Sequence, residues 1–403
     1  MKNGWEIKKL GEVCEIDLGK TPYRGDTSFW DTEKISNNIW LSIADLLHSE
    51  GDIILDSKEY ITNKAVKNCK IVKKGTLLVS FKLTLGRMAF AGIDLYTNEA
   101  IAALTIRKDL NLDKYYLFYF LQSFDWDSAA EGDIKVKGKT LNKAKLKEIL
   151  IKFPKSLSEQ QRIVSILDKA FAALDKAKAN AEQNLKNARE LFESCLQEVF
   201  KGKANGRNSE SLDSLCQLIV DCEHKTAPTQ ETGYPSIRTP NIGKGQLILE
   251  NVNRVSHETY LEWTRRATPQ AGDLILAREA PAGNIAVIPN NLDVCLGQRT
   301  VLIRPKKDKF LSMYLAYLIL SKDVQEILLS HSTGATVQHI NMKDIRSFKI
   351  FDLISIHDQK LIVQKLDAIS TRTRQLESIY RRKIADLEEM RKSVLQQAFS
   401  GEL

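Results

Sequence analysis

Residues 156–168 read SLSEQQRIVSILD, and residues 355–367 read SIHDQKLIVQKLD. A shift of 199 residues superposes them without a gap, with Ser156 on Ser355, Glu159 on Asp358, Gln160 on Gln359 and Asp168 on Asp367. The same shift lays CLQEVFKG (195–202) on VLQQAFSG (394–401). Self-similarity at one long interval means that a single structural unit is used twice. Elsewhere the halves match more loosely. LGEVCEI around Cys14 pairs with LDSLCQL around Cys216, and KGTLLVS (74–80) with AGDLILA (271–277). ALTIRK ending at Lys108 pairs with TVLIRP ending at Pro305, YLFYFL (116–121) with MYLAYL (313–318), and GKTL (138–141) with GATV (334–337). Each copy is a variable globular part followed by a better-matched helical part. The expected boundaries are 1–155, 156–203, 204–352 and 353–403, with the polar stretch 201–211 as linker.

Ser156 and Glu159, just after Pro154, have the form of a capping box; Ser355 and Asp358 are a weaker version. Gly202 and Gly401 stand where a helix would end. Neither Pro nor Gly interrupts the sequence between Pro154 and Gly202, or between Ser355 and Gly401. Apolar positions keep a 4-3 spacing. In the first segment they are Ile163, Leu167, Ala170, Leu174, Ala177, Ala181, Asn184, Ala188, Leu191 and Cys195. In the second they are Ile362, Leu366, Ile369, Thr373, Leu376, Tyr380, Lys383, Leu387, Met390 and Val394. This spacing is a coiled-coil seam, with polar interruptions at the equivalent Asn184 and Lys383. Each helix would span about 65 Å. The expected fold class is α+β: two similar globular α/β domains separated by two long antiparallel coiled-coil helices, with pseudo-twofold internal duplication.

The 403-residue chain carries a net charge of +8, with 43% hydrophobic and 27% charged residues, and has a pI near 9.0. These are values of a soluble globular protein, and the basic balance admits a nucleic-acid partner. No apolar stretch approaches a membrane span, and MKNGWEIKKLGE has no signal-peptide core. The six cysteines form no disulfide framework, so a cytoplasmic protein with reduced thiols is expected.

Both globular parts mix strands (75–81, 101–106, 272–277 and 300–305) with apolar helices (114–123 and 310–321). Between them lie polar loops: GKTPYRGDTSFW (19–30), FKLTLGR (81–87) and DIKVKGKTLNK (133–143), then DCEHKTAPTQ (221–230), IRTPNIGKGQ (237–246), AREAPAGN (277–284) and TGATVQHI (333–340). Their Arg, Lys, Asn, Gln, Thr and Glu side chains are those that base edges in a major groove require. Residues 131–155 hold eight lysines against three acids, which suits a phosphate backbone.

Several patterns suggest catalysis and fail. The stretch 132–140 ends in Gly-Lys-Thr, but the glycine spacing is one too long for a phosphate-binding loop, and Gly334-Ala335-Thr336 at the repeat position lacks the lysine. Cys216, Cys222 and His224 fit no standard zinc spacing. No dinucleotide loop, G-x-S-x-G nucleophile or H-E-x-x-H pair is present.

PKSLSEQQRIVSILD, its echo ISIHDQKLIVQKLD, and the endings LQEVFKG and LQQAFSGEL resemble the specificity subunit of type I restriction-modification enzymes. So does GKTPYRG…FW…WLSIADL with KGTLLVSFKLTLGRMAF and YTNEAIAAL. The resemblance implies two target-recognition domains that each read one half of a bipartite double-stranded DNA target. It implies helices that set the spacing and bind two methyltransferase subunits, and motor-nuclease subunits that join the complex. S-adenosylmethionine, ATP and magnesium would belong to those partners; the chain itself would bind no cofactor or metal and catalyse nothing. Candidate base readers are Lys20, Tyr23, Arg24, Lys82, Thr84, Arg87, Lys139 and Thr140 in the first domain. In the second they are Lys225, Thr226, Arg238, Asn241, Arg278, Glu279, Gln298, Arg299, Thr336 and Gln338. Two rivals stand beside this reading: a helical scaffold whose globular domains bind proteins, and a self-contained modification enzyme.

Overall fold

The computed structural model describes residues 4–48, 53–130, 134–135, 138–139, 141–203, 206, 208–330, 339–400 and 402, with the side chains of 47–48, 134–135 and 138–139 left aside. The chain forms two compact units, Met1–Asn180 with Lys383–Leu403, and Ala181–Arg382.

In the first unit a five-stranded sheet runs in the order Cys14–Leu18, Ile101–Ile106, Leu77–Ser80, Met88–Ala91, Ile53–Ile54. The first four strands are antiparallel neighbours and the short last one pairs parallel to Met88–Ala91. A three-stranded sheet follows the order Glu59–Tyr60, Ile39–Leu41, Tyr96–Thr97, and Trp5–Lys9 pairs with Leu150–Pro154. The second unit repeats all of this. Its five strands are Cys216–Asp221, Thr300–Pro305, Leu274–Ala277, Ile285–Val287 and Gly245–Gln246, in the same order and sense. Its three-stranded sheet is Arg254–Val255, Tyr234–Ile237, Cys295–Leu296, and Ser209–Ser211 pairs with Lys349–Phe351. The strands 101–106 and 300–305 and the helix Lys114–Ser123 have the bounds expected from sequence. Their apolar runs are buried on both faces, which is what an uninterrupted rather than alternating pattern signals.

The two long helices are Leu157–Phe200 and Ile356–Ser400. They are antiparallel: in the first unit Asp175 meets Arg391 and Lys178 meets Glu388, each at 2.8 Å, and in the second Arg189 reaches Glu377 at 3.3 Å. The compact units include parts of both helices as well as the globular parts. Ile163, Leu167 and Phe171 share one core with Leu395, Ala398 and Phe399 and the first sheet, while Leu196, Phe200 and Leu366 enter the core of the second. Each helix therefore contributes one half to each unit.

The seam also departs from strict 4-3 spacing. Leu191 and Met390 are about half exposed, at 47% and 53%, whereas Phe192, Leu196 and Phe200 turn inward. A helix of 3.6 residues per turn drifts by about 20° per heptad, so a long seam walks by a residue unless the helices supercoil. Asn184 and Lys383 are exposed, so neither is a buried register-setting polar group. At the helix starts, Glu159 N–H donates to the Ser156 hydroxyl at 3.4 Å, but the Glu159 carboxylate grips Arg162. Gly202 takes φ 75° after the first helix, as a C-terminal glycine should; Gly401 lies outside the described residues.

A better-defined device ties each helix to its domain. Gln160 is fully buried. Its oxygen accepts from Asp113 N–H at 2.7 Å, and its amide donates to Asn111 O at 2.8 Å and Pro154 O at 2.7 Å. Gln359 repeats this with Leu311 N–H, Lys309 O and Ile354 O. Likewise the Tyr119 hydroxyl donates to Asp168, and the Tyr317 hydroxyl to Asp367.

Cys14, Cys216, Cys222 and Cys295 are buried, and loss of solvation raises all four thiols, Cys14 and Cys216 to about 12. Maleimide labelling of the native protein at about pH 8 should spare these four and modify Cys195 first, with all six reacting in denaturant; mass spectrometry of the peptides reads this directly. Among the described residues no helix is long and apolar enough to cross a membrane.

Candidate nucleic-acid interface

The registers decide which loops meet. In the first unit Leu18 sits opposite Ala102, and Ser80 opposite Ile101. The chain therefore leaves strands 14–18 and 77–80 at the same sheet end at which it enters 101–106. Loops 19–30, 81–87 and 97–100 gather there. Backbone bonds close the cluster: Lys20 N–H to Thr97 O at 2.8 Å, Phe81 N–H to Ala100 O at 3.1 Å, and Leu141 N–H to Phe81 O at 3.0 Å.

The second unit builds the same end. Asp221 is opposite Val301 and Ala277 opposite Thr300. Arg278 N–H donates to Arg299 O at 2.9 Å, Ile340 N–H to Arg278 O at 3.0 Å, and Gly283 N–H to Ala277 O at 2.9 Å; this last bond matches Gly86 N–H to Ser80 O. The hairpin loops 81–87 and 278–284 are thus one backbone frame with different side chains, and Gly86 and Gly283 both take positive φ at its turn. Position by position, Phe81 is matched by Arg278, Lys82 by Glu279, and Arg87 by Asn284.

On the first frame Lys20 and Arg87 are exposed and Lys82 and Thr84 half-buried. Tyr23 is 74% exposed on the same loop as Lys20. Arg24 is held: its guanidinium donates to Glu59 through both terminal nitrogens, Nη2 at 2.9 Å, and stacks 3.9 Å from the Trp30 ring, with Trp40 at 4.9 Å. The Glu59 hydrogen bond raises its affinity for the proton further. Glu99, absent from the sequence candidates, accepts from the Thr21 hydroxyl. Partial burial works to raise the Glu99 carboxyl, but the Thr21 bond, its own backbone amide and the charge of Lys82 hold it below the usual range.

On the second frame Lys225, Thr226, Arg238 and Arg299 are exposed, and Gln298 and Glu279 half-buried. Gly297 N–H donates to Ile237 O at 2.7 Å, which brings Arg238 to this end. Two of the candidates are engaged within the chain. Arg278 is buried, its side chain 10% exposed, because it occupies the place of the core residue Phe81. Nε donates to Ile340 O at 2.9 Å, Nη1 to Asp221 at 2.7 Å, and Nη2 to His339 Nε2 at 2.9 Å, so these donors are taken up within the chain. Asn241 is engaged by its own turn: its oxygen accepts from Arg238 N–H and its amide donates to Ile248 O. Thr140, Thr336 and Gln338 lie outside the described residues. Lys139 is described only as backbone, in the strand Gly138–Lys139 that pairs with Ile134–Lys135; among the described residues the next helix begins at Lys143 behind its Asn142 cap. Cys216 and Cys222 lie in apolar cores, while the exposed His224 sits 3.3 Å from Asp221.

The missed residues carried different signals. Gln160 and Gln359 are identical in both copies and could have been found from that alone. Glu99, Asp221 and His339 acquire their roles only when the sheet registers bring their loops together.

The chain matches the family model described as type I restriction modification DNA specificity domain twice, over residues 2–186 and 211–385. It is 30% identical over 262 residues to the type I restriction enzyme MjaIX specificity subunit of Methanocaldococcus jannaschii, covering 60% of this chain and 58% of that one. It is 21% identical over 331 residues to the EcoBI specificity subunit of Escherichia coli, covering 76% and 69%. A chain solved in work on complex assembly and conformational transition of the type I R-M system matches over 100% of this chain and 99% of its own, with TM-score 0.77 and 18% identity. The HsdS subunit of Thermoanaerobacter tengcongensis matches over 100% and 98%, with TM-score 0.57 and 18% identity. These two likenesses are of fold. With both globular copies matched by the same family model, the chain belongs to the type I restriction modification DNA specificity family.

Proposed function

We propose that this protein is the DNA sequence-specificity subunit of a type I restriction-modification complex, each unit reading one half of a bipartite, asymmetric double-stranded target. The observation that carries this is the recurrence, in both family-matched stretches, of one loop-bearing sheet end with exposed Lys and Arg side chains. Such side chains on a rigid sheet edge supply both phosphate attraction and base-edge hydrogen bonds. Lys20, Tyr23, Arg24, Lys82, Thr84 and Arg87 serve one half-site; Lys225, Thr226, Arg238, Glu279, Gln298 and Arg299 serve the other. The chain performs no chemistry itself. It acts in the cytoplasm with two methyltransferase subunits, which bring S-adenosylmethionine, and with motor-nuclease subunits, which use ATP and magnesium. The protein-binding scaffold has no observation in its favour.

The test is to co-express the chain with its methyltransferase subunit and map methylated motifs by long-read sequencing. A bipartite motif with a fixed gap, lost when this chain is omitted, is expected; a stable, active complex that yields no such motif overturns the reading. The paired helices set the gap. Inserting roughly one turn, about four residues, into both helices should therefore change or abolish the preferred gap while leaving each half-site intact; an unchanged gap removes the ruler role.

A further inference from the structure

The two sheet ends share a backbone frame but carry their charges in opposite order. In the first unit the hairpin supplies the cation, Lys82, and the turn before the strand Ile101–Ile106 supplies the carboxylate, Glu99. In the second the hairpin supplies the carboxylate, Glu279, and the turn supplies the cation, Arg299, where the first unit has Ala100. Arg299 Nη1 lies 2.8 Å from Glu279 Oε2, with the arginine side chain 61% exposed and the glutamate 17%.

Behind Glu279 stands a relay. Its other oxygen, Oε1, meets His339 Nδ1 at 2.7 Å; His339 Nε2 meets Arg278 Nη2 at 2.9 Å; and Arg278 Nη1 meets Asp221 at 2.7 Å. Arginine only donates and a carboxylate only accepts, so the histidine proton sits on Nδ1. The row runs from a buried guanidinium to an exposed one, and every inner member is anchored. Arg299 also holds φ 65°, a conformation that costs a non-glycine residue of this size and persists where the surroundings enforce it. The only strongly exposed charge in the row is therefore the one whose backbone and carboxylate partner are both fixed.

We infer that Arg299 is the guanine reader of the second half-site, with Glu279 as its positioning residue, and that Lys82 fills the corresponding role in the first unit from the opposite member of the same pair. This rests on the DNA-specificity reading above. An arginine fixed by a carboxylate on one side presents its remaining donors as a fork, the geometry that matches guanine O6 and N7. The ammonium of Lys82 meets the same acceptors as a point charge. Exchanging cation and carboxylate between neighbouring segments thus gives two copies of one scaffold different base patterns without any change of backbone.

The experiment uses the full chain with its methyltransferase subunit and the mapped methylome. The wild-type motif comes first; if none appears, the DNA-specificity reading fails and the present inference with it. Given a motif, Arg299→Ala should relax one G·C position of one half-site by about tenfold or more. The other half-site and the gap should stay unchanged, and Lys82→Ala should relax a position in the opposite half-site. Arg299→Gln, which keeps the aliphatic stem and a polar end but lacks the charge and the guanidinium fork, serves if Arg299→Ala does not accumulate. Unchanged discrimination, relaxation at an A·T position, or relaxation of both half-sites by one substitution overturns the assignment while leaving the subunit's general role standing.

Discussion

Replacing Gln160 by leucine is expected to destabilise the first unit by about 3–5 kcal/mol, one of the two largest effects anticipated for a single substitution in this chain. The side chain satisfies one backbone N–H and two carbonyls in a site without solvent access. Leucine fills the volume but leaves Asp113 N–H, Asn111 O and Pro154 O without that partner, and a buried polar group so abandoned costs its full desolvation. Hydrogen exchange is the suitable measurement, since a chain of two compact units need not unfold in one step. Amides of the helix Lys114–Ser123 should exchange on the order of 10²- to 10⁴-fold faster, while those of Ser312–Leu320 keep their protection. Gln359→Leu should produce the mirror result. A change below about 1 kcal/mol in either variant would show that water replaces the amide and that the clamp is not a major tie.

Arg278→Ala is expected to cost about 3–5 kcal/mol of stability in the second unit, the penalty for removing one partner of a buried ion pair. Asp221 would be left at 17% side-chain exposure without its guanidinium, and His339 would lose the donor that faces Nε2. The Asp221→Ala, Arg278→Ala double variant should recover part of the loss, since it leaves no uncompensated charge, and the coupling energy of that cycle measures the pair. A variant that keeps wild-type stability and relaxes a single base position would instead make Arg278 a base reader.

The duplication, the long helices and the apolar strands were legible because burial writes itself into sequence as pattern. Ile101–Ile106 and Thr300–Pro305 are uninterrupted apolar runs, and the clamp glutamines recur at one interval. The interface was half legible. Residue type and loop placement pointed to Lys20, Lys82, Lys225 and Arg299, which all reach the loop-bearing sheet end. The same criterion gave no sign that Arg278 is buried, because a polar residue in a polar loop looks exposed until the sheet register shows that it stands where Phe81 stands. Glu99 and His339 escaped for a related reason: each is one side chain of a pair whose other half lies far away in sequence. The seam was readable in period and not in phase, since Leu191 and Phe192 are both apolar and only packing against the second domain selects the phenylalanine.

The division of the helices between units bears on how the chain is made. Residues 181–382 form the second unit as one unbroken segment, so it can complete its core as soon as it has left the ribosome. The first unit begins earlier but finishes later, because Leu395, Ala398 and Phe399 belong to its core. At typical elongation rates of about 5–20 residues per second, its apolar face waits roughly 10–45 s for those residues. During that interval Tyr116, Phe171 and their neighbours offer a sticky surface to any passing chain, so the nascent first unit, and not the second, is the natural client of a chaperone.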